Sequence, residues 1–283
     1  MWGEYWFNTK KSWFNGKSCE RIWKVHNFAI SLRGELKECK MSTINIESFS
    51  QVRDKISELI QNQYWVEAYS QLLQIKNAIS PLLETVSYSL EECDFLFKIY
   101  YNLFISSWNA KATDNDALEF ANIASQFTER RDCLHLLYYQ MTVHAIQKGK
   151  LDNASCYIAK ALEYSDNSEQ KAYSYKYSAV LSLKKHQPND ALRQYMEAAY
   201  YAEEAHMCSY IPFIYIELVD VWYELEKPEI ALNIAEQAVQ LSQKSGQYNT
   251  FIRAKVKKAQ LLYKLGRDID AKNEVLDVEF AID

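Results

Sequence analysis

From about residue 131 to the end of the chain, apolar and polar positions follow a helical beat that is written four times over. Small residues mark it: Ala154, Ala191, Ala231 and Ala271 stand 37, 40 and 40 residues apart. In the first three repeats another alanine follows seven residues later (Ala161, Ala198, Ala238), and Val278 holds that place in the fourth. Seven residues make about two helical turns, so both side chains of a pair face the same way. A methyl group at that point lets a neighbouring helix come close, where a larger side chain would hold it off. A two-helix period of this length predicts an all-α solenoid, each helix pair burying its apolar face only against its neighbours.

Upstream the pattern is looser. The periodicity predicts helices from Ile46 to Gln61, from Tyr64 to Leu83 and from Ser89 to Ala110, and Asp114-Asn115-Asp116 reads as a further helix start. The helix at 89–110 is aromatic nearly all round (Phe95, Phe97, Tyr100, Tyr101, Phe104, Trp108) and so is expected to be covered on two sides. Ala68, Ala117 and Ala154 are 49 and 37 residues apart, which makes residues 41–130 two degenerate pairs and 131–283 four regular ones, six in all.

Turns fall at Lys148-Gly149-Lys150, His186-Gln187-Pro188, Glu226-Lys227-Pro228 and Leu265-Gly266-Arg267. Glycine supplies the left-handed residue that ends a helix and proline suits the first turn of the next, so two ways of making one bend are expected. Second helices are expected to end near Ser168, Ala205, Gly246 and the C-terminus. The last, from Asp268 to about Phe280, leaves Val275, Leu276, Val278 and Phe280 at an edge with no polar cap helix after it, which predicts either a partner or second copy there or a self-covering end.

Composition sharpens this in three places. Six Gly and four Pro in 283 residues suit continuous helices with short turns. Residues 1–40 differ from the rest: they carry four of the seven Trp and a charge of +4, against −9 for residues 41–283. They read either as a basic, aromatic anchor for a partner or as extra sequence ahead of a natural start at Met41. Net charge −5 gives no electrostatic reason to expect nucleic acid, and no apolar run approaches the roughly 20 residues of a membrane span. The six scattered cysteines form no CxxC pair and read as reduced, mostly buried thiols of a cytoplasmic or nuclear protein.

The chain resembles the tetratricopeptide repeat (TPR) superfamily. The family's small residue in the first helix falls on Thr142, Ala179, Val219 and Ala259, and its large aromatic on Tyr138, Tyr175, Tyr215 and, in departure, Lys255. Tyr195 to Gly266 also looks like the C-terminal repeats of anaphase-promoting complex subunit 5, through Glu203-Glu204-Ala205, Tyr210 to Leu225, Pro228-Glu229-Ile230-Ala231-Leu232 and Arg253-Ala254-Lys255. The TPR resemblance implies a right-handed solenoid whose first helices line a concave groove. Its groove positions fall on Tyr139 and Val143, on Tyr173, Lys176 and Val180, on Phe213, Asp220 and Tyr223, and on Arg253, Gln260, Tyr263 and Lys264. Aromatics mixed with charges at such positions suit an extended peptide or helix. A second basic patch, Lys255, Lys257 and Lys258, is expected on an exposed terminal surface.

No phosphate loop, dinucleotide fingerprint, zinc-protease motif or nucleophile elbow is present. His135 and His144 lie nine residues apart, which is not the i, i+4 spacing of a helical metal pair. No metal, cofactor or catalytic residue is therefore expected. The sequence predicts a non-enzymatic interaction scaffold holding a protein or peptide, as a free protein or as a subunit of a larger complex. Self-association through the last helix is a further expectation. The alternative is a regulatory receptor for a small signalling peptide, as in bacterial pheromone sensors of this family, although residues 1–62 show no convincing helix-turn-helix.

Overall fold

The computed structural model describes residues 50–80, 88–111 and 114–279. The expectations for 1–40, for helix starts and ends at Ile46 and Leu83, and for the Val278 and Phe280 side chains lie outside the described residues. Among those described there are twelve α-helices, one short 3-10 helix and no strand, and the helices follow one another as six pairs. The fold is a TPR-like α-solenoid, divided into two compact units at residues 128 and 129.

The first unit holds α1 (Ser50–Gln61), α2 (Trp65–Ile79), α3 (Leu90–Asn109), α4 (Asp114–Ala124) and the 3-10 helix Ser125–Phe127. The α3 start is held by a capping box: the Glu92 N–H donates to Ser89 Oγ at 3.2 Å, and the Ser89 N–H donates to Glu92 Oε2 at 2.7 Å. Its aromatic circumference is buried, as expected, between α2 and α4. Phe120 of α4 meets Tyr100 of α3 and Tyr69 of α2, and Ala117 and Ala124 are closed off from solvent.

The second unit holds α5 (Arg131–Gln147), α6 (Leu151–Glu163), α7 (Ser168–Lys184), α8 (Pro188–Glu204), α9 (Ile211–Glu224), α10 (Pro228–Lys244), α11 (Tyr248–Lys264) and α12 (Asp268–Glu279). Each packs on the next in sequence. The anchor alanines of the first three pairs are at most 1% exposed, and Ala271 is 8% exposed, so the seam is a run of close helix contacts. Thr142, Ala179, Val219 and Ala259 are buried beside it. The family aromatics tie first helices to second: Tyr138 stacks on Tyr164 at 5.8 Å and Tyr175 on Tyr201 at 5.6 Å.

All four turns within the pairs use one geometry. Gly149, His186, Glu226 and Gly266 all have φ between 57° and 73°. The following N–H then reaches back five residues, as from Gln187 to the Ser182 carbonyl and from Lys227 to the Trp222 carbonyl. Pro188 and Pro228 start their helices after that residue, so proline accompanies the left-handed bend and does not replace it. The next correction is at Ser168, which starts α7 and does not end α6. Asn167 caps α7, its Oδ1 accepting from the Gln170 N–H at 2.9 Å, and α6 has already stopped at Glu163.

Two surface expectations are overturned. Lys255, Lys257 and Lys258 are not a free basic patch. Glu274 of α12 lies 2.8 Å from Lys255 and 2.6 Å from Lys258, all three side chains being at most 18% exposed, while Lys257 is bound to Asp220 of α9 at 2.7 Å. For Lys255 and Lys258 the carboxylate comes from the last helix, and for Lys257 from α9. Among the described residues the thiols, too, are mixed: of four cysteines Cys133 is buried, Cys93 half-buried, and Cys156 and Cys208 exposed. No helix of the described residues is long and apolar enough to cross a membrane.

Burial alone would push the Glu274 carboxyl up, but the hydrogen bonds from Lys255 and Lys258 outweigh it and hold it low. Glu274→Gln removes the carboxylate that the mostly buried Lys255 and Lys258 share, leaving Lys258 with Glu236 at 3.4 Å. It is expected to weaken the docking of α12 by about 2 kcal/mol. Hydrogen exchange over residues 268–279 would rise selectively if so; unchanged protection there would show that apolar contacts alone hold the helix.

Candidate functional site

One face of the second unit, built from its first helices, carries a row of rings. Tyr139 of α5 contacts Tyr177 and Tyr173 of α7 edge to face at 5.2 and 6.1 Å. Tyr173 meets Tyr210, just before α9, at 4.7 Å, and Tyr210 meets Phe213 at 6.4 Å. Two cations lie on the row: Lys176 Nζ is 4.2 Å from the Tyr177 ring centre, and the Arg253 guanidinium 5.1 Å from that of Phe213. Burial lowers the Lys176 ammonium below the usual lysine range, with Glu217 opposing that shift and Arg253 adding to it. Burial likewise pushes the Tyr177 phenol up, partly offset by its hydrogen bond with Tyr139, and pushes Tyr210 well up.

Beyond the row opens a cleft of about 770 Å³ between α7, α9 and α11, with Tyr195 of α8 also contributing to its lining. Its walls carry opposite charge. Glu217, Asp220 and Glu224 stand at i, i+3 and i+7 on α9, and Lys257, Gln260 and Lys264 at the same spacing on α11. Lys257 crosses to Asp220, and Lys264 Nζ lies 4.7 Å from the Tyr223 ring centre. A slot with one acidic wall, one basic wall and aromatic footing can hold a polar chain by hydrogen bonds and ring contacts. It presents no nucleophile–base pair or convergent metal ligands among the described residues.

Of the groove positions, Tyr139, Tyr173, Lys176, Phe213 and Arg253 thus gather on the ring row. Val180, Asp220, Tyr223, Gln260 and Lys264 line the cleft. Val143 is buried in the core and presents no surface, and Tyr263, 70% exposed, lines neither feature. Tyr177, Glu217 and Lys257 were missed, although a signal existed: they occupy one repeat position, 40 residues apart, as do Tyr173, Phe213 and Arg253. The family's groove positions skip these three, which follow Tyr173, Phe213 and Arg253 by four residues and so share their helix face. Tyr195 and Tyr210 come from a second helix and a turn, where no groove position is expected.

His135 buttresses the row from behind. Its ring stacks on Tyr139 at 6.1 Å and its Nε2 lies 3.0 Å from Ser174 Oγ, joining α5 to α7. Desolvation lowers its pKa to about 4, against the raising effects of the Gln170 backbone, Asp166 and Asp132. The folded protein therefore binds fewer protons than the unfolded chain between roughly pH 4 and 6.5, and stability falls on acidification through that window. The expected loss at pH 5 is about 2 kcal/mol relative to neutral pH. Urea midpoints of wild type and His135→Gln measure it: the variant's profile should be flatter there, and parallel profiles would remove His135 as the cause.

No protein-family model matches the sequence, and no curated protein matches it. Solved structures do match. The chain is similar to BtubC from P. vanneervenii, at 14% identity and TM-score 0.59 over 77% of this chain and 87% of that one. It is similar to the apo form of RapI, at 14% identity and TM-score 0.60 over 79% and 97%. A third likeness is to a signal-transduction ATPase from Pyrococcus horikoshii with a tetratricopeptide repeat sensor, at 12% identity and TM-score 0.51 over 86% and 42%. At such identities the likeness is one of fold, that of TPR-like helical repeat proteins.

Proposed function

We propose that the second unit is a non-enzymatic binding module that holds an extended peptide segment of a partner protein along the ring row and cleft. The observation that carries this reading is the unbroken series of aromatic contacts from Tyr139 to Phe213, flanked by Lys176 and Arg253 and leading toward a cleft with walls of both charges. Rings supply contact area at little entropic cost, and the charges set register and direction. Because the groove is carried on packed helix pairs, the partner meets a surface already in its binding shape. Fluorescence polarisation of dye-labelled random octapeptide pools against the full chain tests it. Saturable binding that Arg253→Glu weakens supports the reading; absence of binding, or binding indifferent to that change, overturns it.

A peptide-sensing receptor would use the same site to shift the protein between shapes, and the likeness to a TPR sensor supports that second reading. Peptide-dependent small-angle scattering would separate the two. Membership of a larger assembly, of the kind suggested by the likeness to anaphase-promoting complex subunit 5, is supported by the Tyr195–Gly266 pattern alone. The exposed Ile269, Val275 and Leu276 of α12 offer a second contact surface for a partner or a second copy.

A further inference from the structure

The Tyr195 side chain is 0% exposed, yet it lines the cleft, and its hydroxyl makes no hydrogen bond to any described residue. A buried phenol left in that condition weakens the fold, and a group in the cleft that accepts a hydrogen bond from it would remove that cost. Glu217 lies close enough to interact electrostatically with both Tyr195 and Lys176, but no hydrogen bond or ion pair holds its carboxylate among the described residues. The cleft thus offers a fully buried donor and a strong acceptor that no internal hydrogen bond uses.

The surrounding charges choose between ligands. A carboxylate entering here meets Glu217, Asp220 and Glu224, and an ammonium or guanidinium meets Lys184, Lys257 and Lys264. Three cations (Lys184, Lys257, Lys264) and three anions (Glu217, Asp220, Glu224) line the cleft, so its lining carries no net charge to favour either ion. A neutral group with both an acceptor oxygen and N–H donors satisfies the pair at once. Tyr195 belongs to α8, a second helix, and is fully covered, so a side chain reaching inward meets its hydroxyl where a main chain lying across the opening does not.

We propose that the cleft is a subsite for a side-chain carboxamide, a glutamine or asparagine of the bound peptide, with the Tyr195 O–H donating to its oxygen and Glu217 accepting from its NH2. This assignment rests on the peptide-groove reading. The test uses the full chain and C-amidated, dye-labelled octapeptide pools that are random except for one central residue, fixed as glutamine, asparagine, glutamate, lysine or leucine. A carboxamide pool is expected to bind about tenfold more tightly than the glutamate, lysine and leucine pools. Tyr195→Phe should erase that preference, bringing the carboxamide pools to the affinity of the leucine pool measured on the same variant. Its melting temperature should be unchanged or higher, because the substitution removes an unpartnered hydroxyl and keeps the ring.

A winning glutamate or lysine pool, equal binding of all pools, a preference that survives Tyr195→Phe, or a lowered melting temperature would each overturn the subsite while leaving the groove standing. If no pool binds, the groove and the subsite fall together.

Discussion

Exchanging Ala191 and Ala198 together for leucine is expected to unfold most of the 129–283 unit at room temperature, a loss of about 5 kcal/mol. Both methyl groups are fully covered. They lie in the same buried cluster as Ala172, Ala179, Ala202, Ile214, Leu218 and Val221, where α7, α8 and α9 meet. The spacing of those helices is set by the absence of side-chain bulk, so six added carbons have no cavity to enter and must push α8 outward. Each repeat is stabilised chiefly by its neighbours, so one displaced helix also loosens the pairs on either side. Glu197→Leu adds an apolar side chain to the same helix at an exposed position and should shift stability by no more than about 0.5 kcal/mol. Chemical denaturation of the two variants decides the matter. Equal midpoints would mean that the alanine seam is not the contact that sets helix spacing.

Tyr223→Ala combined with Arg253→Glu is expected to weaken peptide binding about 300-fold, roughly 3.4 kcal/mol, with little change in melting temperature. The alanine removes the ring that lines the cleft and meets Lys264, while the glutamate replaces the cation on Phe213 and adds a carboxylate to the region of Glu217. Binding surfaces concentrate their energy in a few aromatic and arginine anchors, and these two lie at the cleft and at the ring row. Arg253 is exposed and Tyr223 half-buried, so neither change should cost the fold much. Raising the salt concentration should reduce the contribution of the charge reversal and leave that of the ring, which distinguishes the two causes within one experiment.

Much of the architecture was legible in the order of residues. The alanine spacing and the turn positions are local or periodic signals, and a solenoid is made of local contacts, so the pattern of one repeat transfers to the next. His186 and Glu226 show where such reading stops. Glycine announces a left-handed residue by its identity, whereas these two are forced into the same conformation by the helices on either side.

What the sequence by itself determined is therefore the helix pairs, their number, the small-residue seam and the stripe of side chains each first helix turns away from that seam. Only the tertiary structure decided which of those side chains are already spoken for. Lys255, Lys257 and Lys258 looked free until Glu274 and Asp220 arrived from other helices, and only the fold shows that the Tyr195 hydroxyl, buried in the core, has no partner among the described residues. The physical reason is one of range: helix propensity and periodicity act over a few residues, while charge pairing and hydrogen-bond satisfaction depend on which atoms folding places within about 3 Å of one another.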